Sequence, residues 1–538
     1  MSTSHAVPAN DCARPARPEP TRRFKTRHLS MMALGSAIGA GFFLGTGQAV
    51  AQAGPAVLVS YVIAAAIAVV VMYALAELAS ATPSSGSFST YAEAGIGRWA
   101  GFTVGWLYWF TLIMVLGMES TGAAAIVTEW FPQVPQWAVV LVIVVVLGGV
   151  NLLAAGDFGE VEAWLAGLKV AAIVMFLLVG LGLVTGILPG REEAVSQTIL
   201  GHGGFAPRGL AGVAAALLAI ITSFGGLEIV TQASAEAQDA QRAVGHAIRS
   251  VIWRILVFYV GSVVLMVCLL PWDSPEMASN PFGAILDMAG VPAVARLMEA
   301  VVLVALVSAF SANIYASSRM AYSRSARGMG ARWLVGDADA DEDAPVAAPA
   351  VDEAVGRPLP AGSAEWEAPA GAGDGAPEAP GAAAAPGGLE AGRAAAALTA
   401  ALEEETASGD IARGRTPRRA VGLSIVLALV SVALNWLLPE SILGILINAI
   451  GMTLLIVWVF ILVSHLRLHD VLERAGALTI RLPGGRLVAI AALVALAGMG
   501  ALMAWSPTAR LQLVSMLGLT LLIVVVYLVR QQVVLRRS

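Results

Sequence analysis

Two carboxylates and one amine stand where an apolar chain has most reason to avoid them. Glu119 lies between Met118 and Ser120 well inside an apolar run. Glu228 follows Gly225 and Gly226 in ITSFGGLEIVTQASAE, and Lys169 sits within EVEAWLAGLKVAAIVMF. An ionisable group at membrane depth is costly and by default marks a substrate or proton pathway. Two of the three also have a plainer reading. Glu119 reads equally as a neutral carboxyl satisfied inside a helix bundle, and Lys169 as a stem that carries its ammonium out to the interface. If Lys169 is buried instead, its amine can take up and release a proton during a working cycle.

Glycine forms the second pattern. GSAIGAGFFLGTG, from Gly35 to Gly47, places five glycines in thirteen residues of an apolar run. Each glycine inside a helix costs about 0.5–1 kcal/mol relative to alanine. Close helix packing through small residues is one explanation. The other is a broken helix whose freed backbone groups hold a ligand near mid-membrane.

The elements that must position these residues follow from composition. Of 538 residues, 58% are hydrophobic and 13% charged, against about 25% charged in soluble domains. Apolar runs reaching the roughly 20 residues that cross a bilayer recur along the chain. They predict twelve spans, near 29–48, 55–79, 99–128, 136–155, 161–187, 209–235, 250–271, 293–315, 420–438, 441–464, 487–505 and 510–530. The first 28 residues are basic and lack an apolar signal core, so they are expected to be a cytoplasmic tail. With that end inside, only Arg191, Arg208, Arg296 and Arg510 of the 32 Lys and Arg fall near the outer side, as the positive-inside rule requires. Both termini are then cytoplasmic.

The two glycine interruptions fall in spans one and six, five crossings apart. That spacing is the pattern of inverted-topology repeats whose paired broken helices form a midplane site. The expected organisation is an all-α membrane protein with a 5+5 inverted repeat and two extra helices: a tail over 1–28, a first repeat over 29–188, a second over 209–335 and 415–465, two further spans over 487–530, and a tail over 531–538. Span eight ends in a polar stripe of Ser308, Ser311, Asn313, Tyr315, Ser317 and Ser318, which reads as hydrogen-bonded packing or as the lining of an ion pathway.

Between spans eight and nine the composition changes. Residues 336–412 are rich in Ala, Pro, Gly, Asp and Glu, and Trp366 is their one aromatic. Such a segment buries too little apolar surface to fold alone, so a disordered cytoplasmic insertion is expected. The chain's net charge of −5 is a property of this insertion, and the remainder is net positive.

No phosphate-binding loop ending in Gly-Lys-Ser/Thr is present, so ATP drive within this chain is not expected. His5, His28, His202, His246, His465 and His469 are scattered in the sequence, and no metal cluster is expected. Cys12 and Cys268 make no sensible disulfide. No nucleophile with a neighbouring base suggests an enzyme. Uphill solute movement driven by an ion gradient is the use left for two broken helices.

Specific stretches also resemble a known family. RHLSMMALGSAIGAGFFLGTG (Arg27 to Gly47), SGSFSTYAEAGIGRWAGFTVGWLYWF (Ser85 to Phe110), FGEVEAWLAGLKV (Phe158 to Val170), SFGGLEIV (Ser223 to Val230), SVIWRILVFYVGS (Ser250 to Ser262) and SRMAYS (Ser318 to Ser323) are similar to the amino acid permeases of the amino acid/polyamine/organocation superfamily, GABA-permease-type members above all. The resemblance runs from about Thr26 to Arg332 and resumes more weakly from Arg415. It implies proton-coupled import of GABA or another small neutral amino acid across the plasma membrane. It implies that backbone N–H groups around Ser36, Ala37, Gly39, Ala40 and Gly41 bind the substrate carboxylate, an anion at a half-helix N-terminus. It further implies that carbonyls around Phe224, Gly225, Gly226 and Leu227 take the ammonium, and that Lys169 and Glu119 match the family's span-five lysine and span-three acid. Proton coupling is expected of these two. Glu228, Ser311, Asn313 and Tyr315 are expected to act in gating or along the pathway.

The chain departs from the family at Ser311-Ala312-Asn313-Ile314-Tyr315, at Ala233-Ser234-Ala235-Glu236 and at the acidic insertion. The expected partners are an amino acid, protons and the lipid bilayer, together with a cytoplasmic partner of the insertion; no nucleic acid and no cofactor are expected. Two alternatives stay open: an amino acid exchanger, and a non-transporting sensor that signals through the insertion.

Overall fold

A computed structural model describes residues 39–82, 88–153, 158–226 except 192, residues 228 and 253, 255–335 except 291, and 418–535 except 440 and 506. The N-terminal tail and the acidic insertion lie outside the described residues, as do Ser36, Ala37 and Leu227. Within them the protein is all-helical, and nine helices are long and apolar enough to cross a membrane.

A π-helical turn over Gly41–Gly45 leads into α1 (Thr46–Ala53), and α2 (Val57–Ala81), the short α3 (Phe88–Gly95), α4 (Arg98–Trp130), α5 (Gln136–Leu153) and α6 (Phe158–Thr185) follow. After the short α7 (Val195–Leu200) come α8 (Gly209–Phe224), a π-turn over Ile255–Val260, α9 (Gly261–Leu269), the short α10 (Pro275–Ser279) and α11 (Pro281–Met288), and α12 (Pro292–Ala326). The chain closes with α13 (Arg418–Leu437), α14 (Ile442–Arg474), α15 (Gly485–Trp505) and α16 (Pro507–Leu535).

Helix is described within each expected span, in spans one, six and seven only over part of their length, and three boundaries differ for physical reasons. The first span continues to Ala53, where Gly54 takes φ +65° and Pro55 follows; that pair turns the chain into α2. The described part of the sixth ends its helix at Phe224, and its continuation toward 235 lies outside the described residues except for Gly225, Gly226 and Glu228. α12 and α14 extend well past 315 and 464, to Ala326 and Arg474. Hydropathy marks where a helix is apolar, and both continue as polar helix packed on other helices. At 33 residues, α4 is about 50 Å long at 1.5 Å per residue, longer than a bilayer core of roughly 30 Å.

α4 and α14 form the centre. In the most apolar stretch of α14, 72% of the residues are buried, and in that of α4 67%, whereas in the corresponding stretch of α16 none is. α4 packs on α12, α14 and α3, and α8 packs on α1, α14 and α2. Side-chain hydrogen bonds supplement this packing where no hydrophobic drive exists between helices. Ser60 Oγ donates to the Val213 carbonyl (3.0 Å) between α2 and α8, and Asn435 Nδ2 donates to Thr121 Oγ1 (2.8 Å) between α13 and α4.

Arg324, 3% exposed near the end of α12, lays its guanidinium in the space that a side chain at Gly105 would fill. It donates to the carbonyls of Gly101 (3.2 Å) and Phe102 (3.4 Å), while Arg327 donates to Glu93 of α3 (2.9 Å). Gly105→Ala should therefore evict a buried cation. The expected result is a clear drop in Tm in detergent, at the upper end of the about 1–3 kcal/mol that overpacking costs. An unchanged Tm would show that Arg324 finds another seat.

Candidate functional site

α8 ends because Gly225 leaves helical backbone (φ −60°, ψ 143°) and Gly226 takes φ +94°, a left-handed value that glycine alone adopts freely. The interruption read in span six is thus a real break. Two donors hold it. Glu228, 1% exposed, accepts the Gly226 N–H (3.0 Å) through Oε2 and the Trp458 indole N–H (2.7 Å) through Oε1. Trp458 belongs to α14, so this carboxylate ties the break to the centre of the bundle.

The first glycine run meets this break directly. Ser223 Oγ donates to the Gly41 carbonyl at 2.5 Å, and a Cβ on Gly41 would lie 2.6 Å from the Thr222 carbonyl oxygen. Beside them, a Cβ on Gly39 would stand 3.5 Å from Glu119 Oε1. Glu119 is 2% exposed and accepts hydrogen bonds from Asn313 Nδ2 at both oxygens (3.1 and 3.2 Å). Asn313 also donates to the Ala309 carbonyl (3.0 Å), which orients it from α12.

A buried cavity lies where these groups converge. One wall is backbone, Gly39–Gly41 facing Thr222, Ser223, Gly225 and Gly226. A second is polar, Glu119 with Asn313. The rest is a face of α4 carrying Tyr108, Thr111, Leu112, Val115 and Met118, closed by Ile450 and Leu454 of α14. Such a cavity offers amides and carbonyls at one side, a carboxylate at another and an apolar surface between them. Among the described residues neither His nor Cys lines it.

Gly39, Ala40, Gly41, Gly225, Gly226, Glu119 and Asn313 are therefore brought together. Ser36, Ala37 and Leu227 lie outside the described residues, Glu228 braces the break from behind through Gly226, and the other described candidates do not line the cavity. Phe224 is fully buried but stacks toward Tyr259 (5.3 Å) and Tyr61 (6.1 Å). Lys169 is 1% exposed within α6 and does not line the cavity. Ser311 accepts from Asn151 Nδ2 (2.8 Å), and Tyr315 is 47% exposed with Arg319 4.3 Å above its ring. Residues two apart on a helix point about 200° apart, so Asn313 faces the cavity while Ser311 and Tyr315 do not. The stripe of span eight is not one face.

Tyr108, Thr111, Leu112, Val115 and Met118 escaped the sequence reading, although their spacing of three and four is the signature of one helix face. Thr222, Ile450 and Leu454 carry no such signal. The expectation that the histidines are all scattered fails for His465 and His469, one turn apart on α14, which meet Glu77 of α2.

Trp458→Phe tests the brace. It removes the 2.7 Å bond to a buried carboxylate, a loss of about 1–3 kcal/mol, and should lower both Tm and activity. Wild-type stability would contradict the role given to Glu228.

Long apolar helices packed around a buried, partly polar cavity define a multi-pass membrane transporter. The family follows from the sequence: the amino acid permease model matches residues 28–339 and 401–538, and the chain belongs to that family. It is 41% identical over 496 residues to the aromatic amino acid transport protein AroP of Corynebacterium glutamicum, covering 91% of each protein. It is 34% identical over 454 residues to the gamma-aminobutyric acid permease of Escherichia coli, covering 84% of this chain and 82% of that protein. The gamma-aminobutyric acid permease of Bacillus subtilis is 42% identical over 306 residues, 57% of this chain and 65% of that protein. The protein is an amino acid permease and not an enzyme.

Proposed function

We propose that the chain imports an amino acid across the plasma membrane together with protons, the substrate being GABA or another small neutral amino acid. The observation that carries this reading is the meeting of the two glycine breaks in one buried cavity. A helix that begins near Ala40 leaves its first N–H groups without intrahelical partners, which suits a substrate carboxylate held by Ser36, Ala37 and Gly39–Gly41. The end of α8 leaves carbonyls of Phe224, Gly225, Gly226 and Leu227 for the ammonium. Glu119 and Lys169 are the proton-coupling groups, Glu119 at the cavity and Lys169 buried in α6. The proposed topology is twelve spans in a 5+5 inverted repeat with helices one and six discontinuous and both termini cytoplasmic.

A second reading is favoured by one feature, the apolar wall of Leu112, Val115, Met118, Ile450 and Leu454. It suits an aromatic side chain, in keeping with the function printed for the C. glutamicum relative. Uptake of labelled GABA, challenged with unlabelled neutral and aromatic amino acids, separates the two. Competition by small neutral amino acids alone supports the first. GABA uptake that is absent, with labelled phenylalanine or tryptophan taken up instead, supports the second. Uptake of neither class overturns both.

A further inference from the structure

At the end of the bundle where α2 and α14 finish, away from the cavity, three potential metal ligands are buried together. Glu77 and His465 are each 0% exposed, and the side chain of His469 is 12% exposed. One donor atom from each lies within 4.8 Å of the others. His465 Nε2 is 3.2 Å from Glu77 Oε1, and His469 Nδ1 touches the same oxygen. We propose that Glu77, His465 and His469 form a site for a zinc-class divalent transition-metal ion that clamps α2 to α14.

Three observations carry the site. The first is the state of His465. Its Nε2 lies beside Glu77, and neither ring nitrogen makes a hydrogen bond of regular geometry among the described residues. A wholly buried imidazole is normally satisfied, and this one has only the 3.2 Å approach of Nε2 to Glu77 Oε1. A cation between the three groups would take the Nε2 lone pair.

The second is the ligand set. Two imidazoles and a carboxylate on two rigid helices, with a short i, i+4 spacing between the histidines, match the donors that zinc prefers at about 2.0–2.2 Å. Their donor atoms already converge, all within 4.8 Å of one another.

The third is the surrounding shell. Glu77 Oε2 is fixed by the Leu482 N–H (2.8 Å), which leaves Oε1 to face the histidines. His469 turns Nε2 toward Glu473 Oε2 (3.7 Å), and Glu473 pairs with Arg481 (3.2 Å). A carboxylate behind a ligating histidine sets its tautomer and raises its basicity. A bound ion would join α2, α14 and the segment carrying Leu482. Under the carrier reading it would slow any step in which those ends separate, but binding itself does not depend on that reading.

The test uses the purified full-length protein, stripped with a chelator and titrated with Zn²⁺ or Co²⁺. One ion per chain, a saturating rise in Tm and visible Co²⁺ absorption of four-coordinate intensity are expected. His469→Gln should abolish all three, and His465→Gln likewise. Glu473→Gln should weaken Zn²⁺ binding about 10–100-fold while retaining the stoichiometry. Should the fully buried His465 variant fail to fold, the partly exposed His469→Gln carries the test. The proposal is overturned if the wild type binds no ion, if His469→Gln binds as the wild type does, or if Tm follows pH and ignores metal, which would mark a proton shared between Glu77 and the histidines. Transport assayed in parallel does not alter these outcomes.

Discussion

Gly41→Leu should abolish transport, and Gly41→Ala should already lower Tm measurably. A Cβ at this position would lie 2.6 Å from the Thr222 carbonyl oxygen and 3.0 Å from Ser223 Cα. Both are backbone atoms, so no rotamer change relieves the contact. The two broken segments must part, and the Ser223 to Gly41 hydrogen bond (2.5 Å) goes with them. Overpacking of this kind costs about 1–3 kcal/mol for a single methyl group, and a leucine adds more. Gly149→Ala on α5 is the control. Nothing lies within 4 Å of a Cβ there, so this change should be neutral or stabilise by up to about 1 kcal/mol through helix propensity. Equal behaviour of Gly41→Ala and Gly149→Ala would contradict the close meeting of the breaks.

Lys169→Ala should abolish accumulation against a gradient while leaving substrate binding measurable as a ligand-induced rise in Tm. The side chain is 1% exposed on α6, so its amine is held inside the bundle. A buried lysine is poised to change its charge when its surroundings change, which suits a coupling group that does not itself touch the substrate. Loss of both accumulation and the thermal response would point to a role in folding. Full accumulation by the variant would remove Lys169 from proton coupling and leave Glu119 as the coupling candidate.

The site was legible in the sequence to the extent that backbone chemistry wrote it there. Gly225 and Gly226 announced a break, and α8 does end at Phe224 with Gly226 at φ +94°. The glycines of the first run proved to serve close packing as well. Gly41 and Gly45 abut Thr222, Ser223 and Ala219, and Gly47 abuts Met277 and Pro281; composition alone does not separate a residue that frees a helix from one that lets two helices touch. Glu119 stood out because a carboxylate in an apolar run is costly, whereas Thr222 and Ile450 look like ordinary helix residues until the helices are placed. The contiguous polar letters of span eight suggested one surface, but helical geometry sends Asn313 one way and Ser311 and Tyr315 others. His465 and His469 were read as scattered although only four residues apart, because their partner Glu77 is almost 400 residues earlier in the chain, a proximity that only the packing of α2 on α14 creates.

Proteoliposome uptake under an imposed pH gradient tests the proton-coupled carrier most directly. With the protein as its only component, the outside acid and the inside neutral, labelled substrate should accumulate above its external concentration, and a protonophore should return it to equilibrium. Uptake of the same extent with and without the gradient, or accumulation that survives the protonophore, would contradict proton coupling through this cavity.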